Sequence, residues 1–107
     1  MTVIYSPSAE NDINGIFEYL ADTLGVPETA VKIVKKLYDS ADSLESMPQR
    51  HGVIDREPFK RLGLRILPVD NYVILYSVDE NGGLVLISRI IYSRRNLDTQ
   101  LSDSDTY

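Results

Sequence analysis

The 107-residue chain predicts a single α+β domain, with a β-α-α-β-β-β order and an antiparallel helical hairpin packed on one side of a small antiparallel sheet. Three observations carry that prediction. Two stretches in the first half repeat apolar residues at helical spacing and are joined by only a few residues around Gly25 and Pro27. Residues 62–95 hold three apolar, β-branched runs separated by turn-forming residues. One more β-branched run, Thr2–Tyr5, precedes the helices.

Thr2–Tyr5 predicts a first or edge strand. Ser6-Pro7 then opens a helix, with Ser6 as N-cap and proline at the first helical position. Glu10 and Asp12 place negative charge near the positive end of the helix dipole. Ala9, Ile13, Ile16, Phe17, Leu20 and Leu24 form its apolar stripe, and Gly25 ends it. In the second helix, Ala30, Ile33, Val34, Leu37, Ala41 and Leu44 define the buried face. Lys32, Lys35 and Lys36 define a solvated one, and Met47-Pro48 marks the end. Residues 48–60 lack any period and read as a loop. Strands are expected at Leu62–Leu67, Tyr72–Val78 and Leu84–Tyr92, with turns at Pro68–Asn71 and Asp79–Gly83. The middle run is apolar almost throughout, which suits a central strand. Ser88 and Arg89 interrupt the last. Asn96–Leu101 reads as one helical turn, and Ser102–Tyr107 as a frayed acidic tail.

Composition narrows the function. An apolar fraction of 43% and a charged fraction of 25% are those of an ordinary soluble domain. No run approaches the ~18 apolar residues that span a bilayer, and no secretory signal is visible, so a cytoplasmic protein without membrane contact is expected. Cysteine is absent and histidine single, which excludes disulfides, thiolate sites and multi-histidine metal centres; no metal or cofactor is expected. Asp79-Glu80 and Asn81-Gly82 are turn chemistry and lack the calcium-loop pattern.

Charge is unevenly spread. Residues 1–55 carry four basic and nine acidic side chains, a net −5; residues 56–95 carry seven and four, a net +3. The tail from Asn96 adds three acids and no base. The sheet half is the electropositive part of an acidic protein, which argues against wholesale phosphate binding and leaves room for a local anionic or acidic-partner site.

Four segments, in order, resemble the RelE/ParE superfamily of small bacterial toxins, each made with a neutralising antitoxin. These are Tyr5–Ala9 with Asp12-Ile13, Ile16 and Tyr19; Ala41–Pro48; Leu64-Arg65 with Asn71–Tyr76; and Ser88–Tyr92 with Arg94-Arg95. The resemblance covers residues 3 to about 98. RelE-like members cut messenger RNA on the ribosome, and ParE-like members poison DNA gyrase. Val73 stands where RelE-like chains place a catalytic arginine, and Tyr92 where many members have histidine. Arg65 and the Gly25-Val26 connection look ParE-like. The resemblance therefore implies a gyrase-binding toxin that is not itself an enzyme and forms a hetero-oligomer with its antitoxin. An mRNA endoribonuclease and a non-toxic binding module are the alternatives.

Arg65, Arg89, Tyr92, Arg94 and Arg95 are the candidate target-binding residues. In a ribonuclease Arg65, Arg89, Tyr92 and Arg94 would be catalytic: the arginines would hold the phosphate and Tyr92 would stack on a base. A base is the weak point, because arginine stays protonated, tyrosine titrates near ~10, and His51 sits in a loop expected to lie away from the cluster. The bland reading of Arg65 is an ion pair with Asp70 or Glu57. Arg89, breaking an apolar strand, must face water or be paired. Ile16, Leu20, Leu37, Tyr38 and Arg65 are the candidate antitoxin surface. A tail folding there would bury ~1,000–3,000 Å² and place acidic or blocking groups near Arg65 and Arg89.

Overall fold

A computed structural model describes residues 1–48 and 51–92. Arg94, Arg95, the turn expected at 96–101 and the tail at 102–107 lie outside the described residues.

The element order is β1 (Thr2–Tyr5), α1 (Pro7–Glu18), a π-helical turn (Tyr19–Thr23), α2 (Pro27–Asp42), a 3-10 turn (Ser43–Glu45), α3 (Phe59–Leu62), β2 (Arg65–Val69), β3 (Tyr72–Asp79) and β4 (Leu84–Tyr92). Four strands form one sheet in the order β1-β4-β3-β2. The three C-terminal strands are antiparallel to their neighbours, as expected. The first strand joins β4 in parallel, so the sheet is mixed at that edge.

Both helix starts follow from local chemistry. The Ser6 hydroxyl accepts from the Ala9 N–H at 3.0 Å, and Pro7 stands where a helix has no use for an N–H. The same hydroxyl donates to the Ser88 carbonyl at 2.8 Å, tying the helix start to the last strand. Ser6→Ala is expected to cost about 1–2 kcal/mol in urea-induced unfolding, at the upper end for a cap because a buried carbonyl loses its donor as well. A loss below a few tenths would mean that water replaces both bonds.

Ala9, Ile13, Leu37, Ala41 and Leu44 pack on Tyr72, Ile74, Tyr76, Val85, Ile87 and Ile90 from the sheet to make the main core. Two members of the predicted stripe do not join it. Phe17 and Leu24 are substantially exposed, whereas Leu20 is buried. The cause is the π turn: the Leu24 N–H bonds the Tyr19 carbonyl at 2.9 Å, five residues back, and the wider turn shifts the phase of everything after it. Gly25, at φ 66°, then reverses the chain in a conformation that other residues rarely adopt, and Pro27 begins α2.

The far face of the sheet has a smaller core that the sequence reading missed. Residues 48–60 were expected to be loop only. Instead Ile54, Phe59 and Leu64 fold beneath the sheet and cover Val73, Leu75 and Ile91. Leu62, expected in a strand, belongs to α3, which Gly63 ends at φ 67°. The second strand accordingly starts at Arg65 and runs through Pro68 to Val69, leaving Asp70-Asn71 as a two-residue turn with Asp70 at φ 53°. Proline is tolerated there because β2 is an edge strand. The central strand is thus covered on both sides, which is why its sequence is apolar without alternation.

The break at Ser88-Arg89 is a β-bulge. Register passes from Leu75↔Arg89 to Tyr76↔Ile87, so Ser88 is the extra residue. Before it Val85 and Ile87 face the helices; after it Ile90 does, and Ile91 faces the smaller core.

Candidate functional site

Beyond Tyr5 the outer edge of β4 has no strand beside it, and α1 supplies the partners. The Ser6 hydroxyl takes the Ser88 carbonyl. Asp12 takes the Ile90 N–H at 2.9 Å and both the Nε and one terminal nitrogen of Arg89, at 2.8 and 3.1 Å. The Asp12 and Arg89 side chains are only 15% and 14% exposed, so this is a largely desolvated, bidentate pair. Arg89 is therefore paired inside the chain. Asp12 serves the sheet edge more directly than it serves the helix dipole.

A groove opens beside this pair, between the end of α1 and the C-terminal ends of β3 and β4, with a volume of about 580 Å³. Gly15, Ile16, Leu20 and Ile90 make its apolar wall, Asn11 and Asp12 its polar rim, and Leu24, displaced by the π turn, its end. Three tyrosines line the rest: Tyr19, Tyr72 and Tyr92. Tyr72 is nearly buried, and its ring meets that of Tyr92 edge to face at 5.3 Å and 66°. Tyr19 and Tyr92 are 54% and 56% exposed. Burial raises the Tyr72 pKa, and the nearby Tyr92 and Tyr19 hydroxyls raise it further, so the ring system stays neutral across physiological pH.

The expected site residues are divided by the fold. Ile16, Leu20 and Tyr92 share the tyrosine groove, joining candidates for antitoxin and for target on one surface. Leu37 is 1% exposed and lies in the main core, which corrects its assignment to a contact surface. Tyr38 stands away from the groove, edge-on to Tyr5 at 5.3 Å and 64°. Tyr5 donates to Asp42 at 2.8 Å, and its pKa is pushed well above the tyrosine range by burial and then by that carboxylate.

Arg65 pairs with neither Asp70 nor Glu57. One terminal nitrogen donates to the His51 carbonyl at 2.7 Å, and Asp70 is held by Lys36 at 2.8 Å. His51 is therefore beside Arg65, not away from it. It lines a second groove of about 690 Å³ along α2 with Lys32, Lys35, Lys36 and Asp39. Arg65 and Arg89 lie two strands apart and are held by different elements. Val73 is buried in the smaller core. Among the described residues no group of three potential ligands could hold a metal ion.

The arrangement offers contact surface more readily than proton-transfer chemistry. Of the described residues lining the tyrosine groove, Asp12 is the one carboxylate, and its oxygens already take three donors.

Residues 3–97 match the family described as the ParE toxin of type II toxin-antitoxin systems, parDE. Two solved structures share the fold. One, from the chromosomal ParDE toxin-antitoxin system of P. aeruginosa, has 22% identity and a TM-score of 0.72, over 88% of this chain and 97% of that one. The other, from the toxin-antitoxin complex RelBE2 of Mycobacterium tuberculosis, has 20% identity and a TM-score of 0.65, over 85% and 88%. No curated protein matches the chain.

Proposed function

The chain belongs to the ParE toxin family of type II toxin-antitoxin systems, and from that premise we propose that it arrests growth by binding DNA gyrase, acts in the cytoplasm, and is held inactive by a cognate antitoxin. The observation that carries the choice of target is the burial of Val73 beneath Phe59 and Leu64. A strand position that would present a catalytic arginine in a ribosome-dependent nuclease here belongs to a core. The internal pairing of Arg89 with Asp12 supports the same reading, because that guanidinium is already held by a carboxylate. Among the described residues no helix is long and apolar enough to cross a membrane.

The target surface we assign is Tyr92 with Arg94 and Arg95, and Arg65 at the other side of the sheet. Tyr92 shares its groove with Ile16 and Leu20. An antitoxin segment seated there would cover a target-binding residue directly, which makes neutralisation a matter of occupancy.

Supercoiling and DNA-cleavage assays with purified gyrase test the target. The toxin is expected to inhibit supercoiling and to accumulate cleaved DNA. Arg65→Glu is expected to weaken inhibition several-fold while leaving the fold intact, because the side chain is half-exposed and its described partner is a single loop carbonyl. Gyrase unaffected at large toxin excess would reject this target. One contact favours a second reading: His51 beside Arg65 brings a titratable ring near a cation. Codon-phased messenger ends in primer extension, appearing before any DNA-damage response, would establish an endoribonuclease instead.

A further inference from the structure

The tyrosine groove has an electrostatic character that its apolar lining hides. The first thirty-one residues contain five carboxylates (Glu10, Asp12, Glu18, Asp22 and Glu28) and no basic side chain. They supply β1, α1 and the π turn, and hence one whole wall of the groove. Glu18 and Asp22 flank Tyr19 on that wall, and both are exposed. Across the groove, Arg89 is neutralised by Asp12. Tyr19, Tyr72 and Tyr92 turn aromatic surface into the same space, and ring faces carry partial negative charge.

We propose that this groove is the seat of a cationic side chain, an arginine or lysine carried on an apolar helical segment of the antitoxin. The inference rests on the toxin reading for the identity of the partner, and on the groove for its chemistry. The rings of Tyr19 and Tyr92 offer cation–π contact, the carboxylates of α1 supply the field, and Ile16, Leu20 and Ile90 accept the methylene stem. A volume of about 580 Å³ exceeds one side chain, so apolar neighbours from the same segment enter with it. This reverses the polarity expected from sequence, where acidic antitoxin groups were to approach Arg65 and Arg89. Arg89 has its carboxylate already, from Asp12.

Two synthetic helical peptides with identical leucine spacing test the proposal, one with arginines and the other with glutamates at the flanking positions. They are titrated into the full chain by calorimetry and followed through the tyrosine ring resonances. A chain with Arg94→Gln and Arg95→Gln is run in parallel, so that those two charges do not decide the result. The arginine peptide is expected to bind roughly tenfold more tightly and to move the Tyr19 and Tyr92 resonances. Tyr19→Leu, at an exposed position, should remove most of that preference, whereas Tyr19→Phe, which keeps the ring face, should retain it. Equal binding of both peptides, preference for the glutamate peptide, or binding that leaves both rings unmoved would overturn the proposal. So would a preference unchanged in Tyr19→Leu. None of those results touches the gyrase assay, and a failed gyrase assay would leave the preference of the groove standing.

Discussion

Asp12→Ala is expected to lower the unfolding free energy by about 3 kcal/mol, a large share of what a small domain has. Three donors lose their acceptor together: two nitrogens of Arg89 and the Ile90 N–H. Removing one member of a desolvated pair strands the other, and the cost comes from the stranded charge more than from the lost attraction. Urea unfolding followed by circular dichroism measures it, with an unchanged denaturant slope showing that both states keep their compactness. Asp12→Asn should lose less, because a carbonyl oxygen can still accept from Ile90. A loss under about 1 kcal/mol for the alanine variant would show that water solvates the guanidinium readily and that the pair behaves as a surface one. The same geometry bears on Arg89. Arg89→Glu would set two carboxylates against each other in a desolvated place, so lost toxicity in that variant would report lost folding. Arg65 is the cleaner test of a target role.

Leu37→Ala is expected to cost about 3 kcal/mol, in the range for deleting most of a buried leucine side chain between a helix and a sheet. Sequence reading placed Leu37 among antitoxin contacts. Its burial predicts a different pattern: stability falls, while antitoxin affinity per folded molecule stays near the wild-type value. A binding titration normalised to the folded fraction separates the two. Weakened affinity without destabilisation would return Leu37 to the interface.

Features set by nearest neighbours were legible in the chain. The Ser6-Pro7 start, the reversal at Gly25, the inner face of α2 and the three C-terminal strands all depend on residues a few positions apart. The family resemblance, carried by ordered local segments, was legible for the same reason. What escaped were the departures from regular period. The π turn is invisible to a 3.6-residue stripe, so Leu24 was counted as core when it ends a groove. The Ser88 bulge looked like an interruption, though one extra residue is what lets both Ile87 and Ile90 face the helices. Ile54, Phe59 and Leu64 follow no period because each comes from a differently shaped piece of chain. The Asp12–Arg89 pair spans 77 positions and exists only once the fold is formed. Its trace was present nonetheless: an arginine inside an apolar strand requires a carboxylate, and Asp12 stands four residues before Ile16 on the inward side of α1.

The way α1 finishes the edge of β4 has a consequence for how copies of this chain behave in concentrated solution. A strand edge capped by another strand passes the problem outward, since the added strand has an open edge of its own. An edge capped by a hydroxyl and a carboxylate stops there, because side chains offer no further ladder for another molecule to join. The Ser6 and Asp12 bonds thus act as chain terminators for sheet growth at this margin. Their loss would convert an intramolecular contact into a sticky end, with turbidity that climbs with protein concentration rather than with temperature alone.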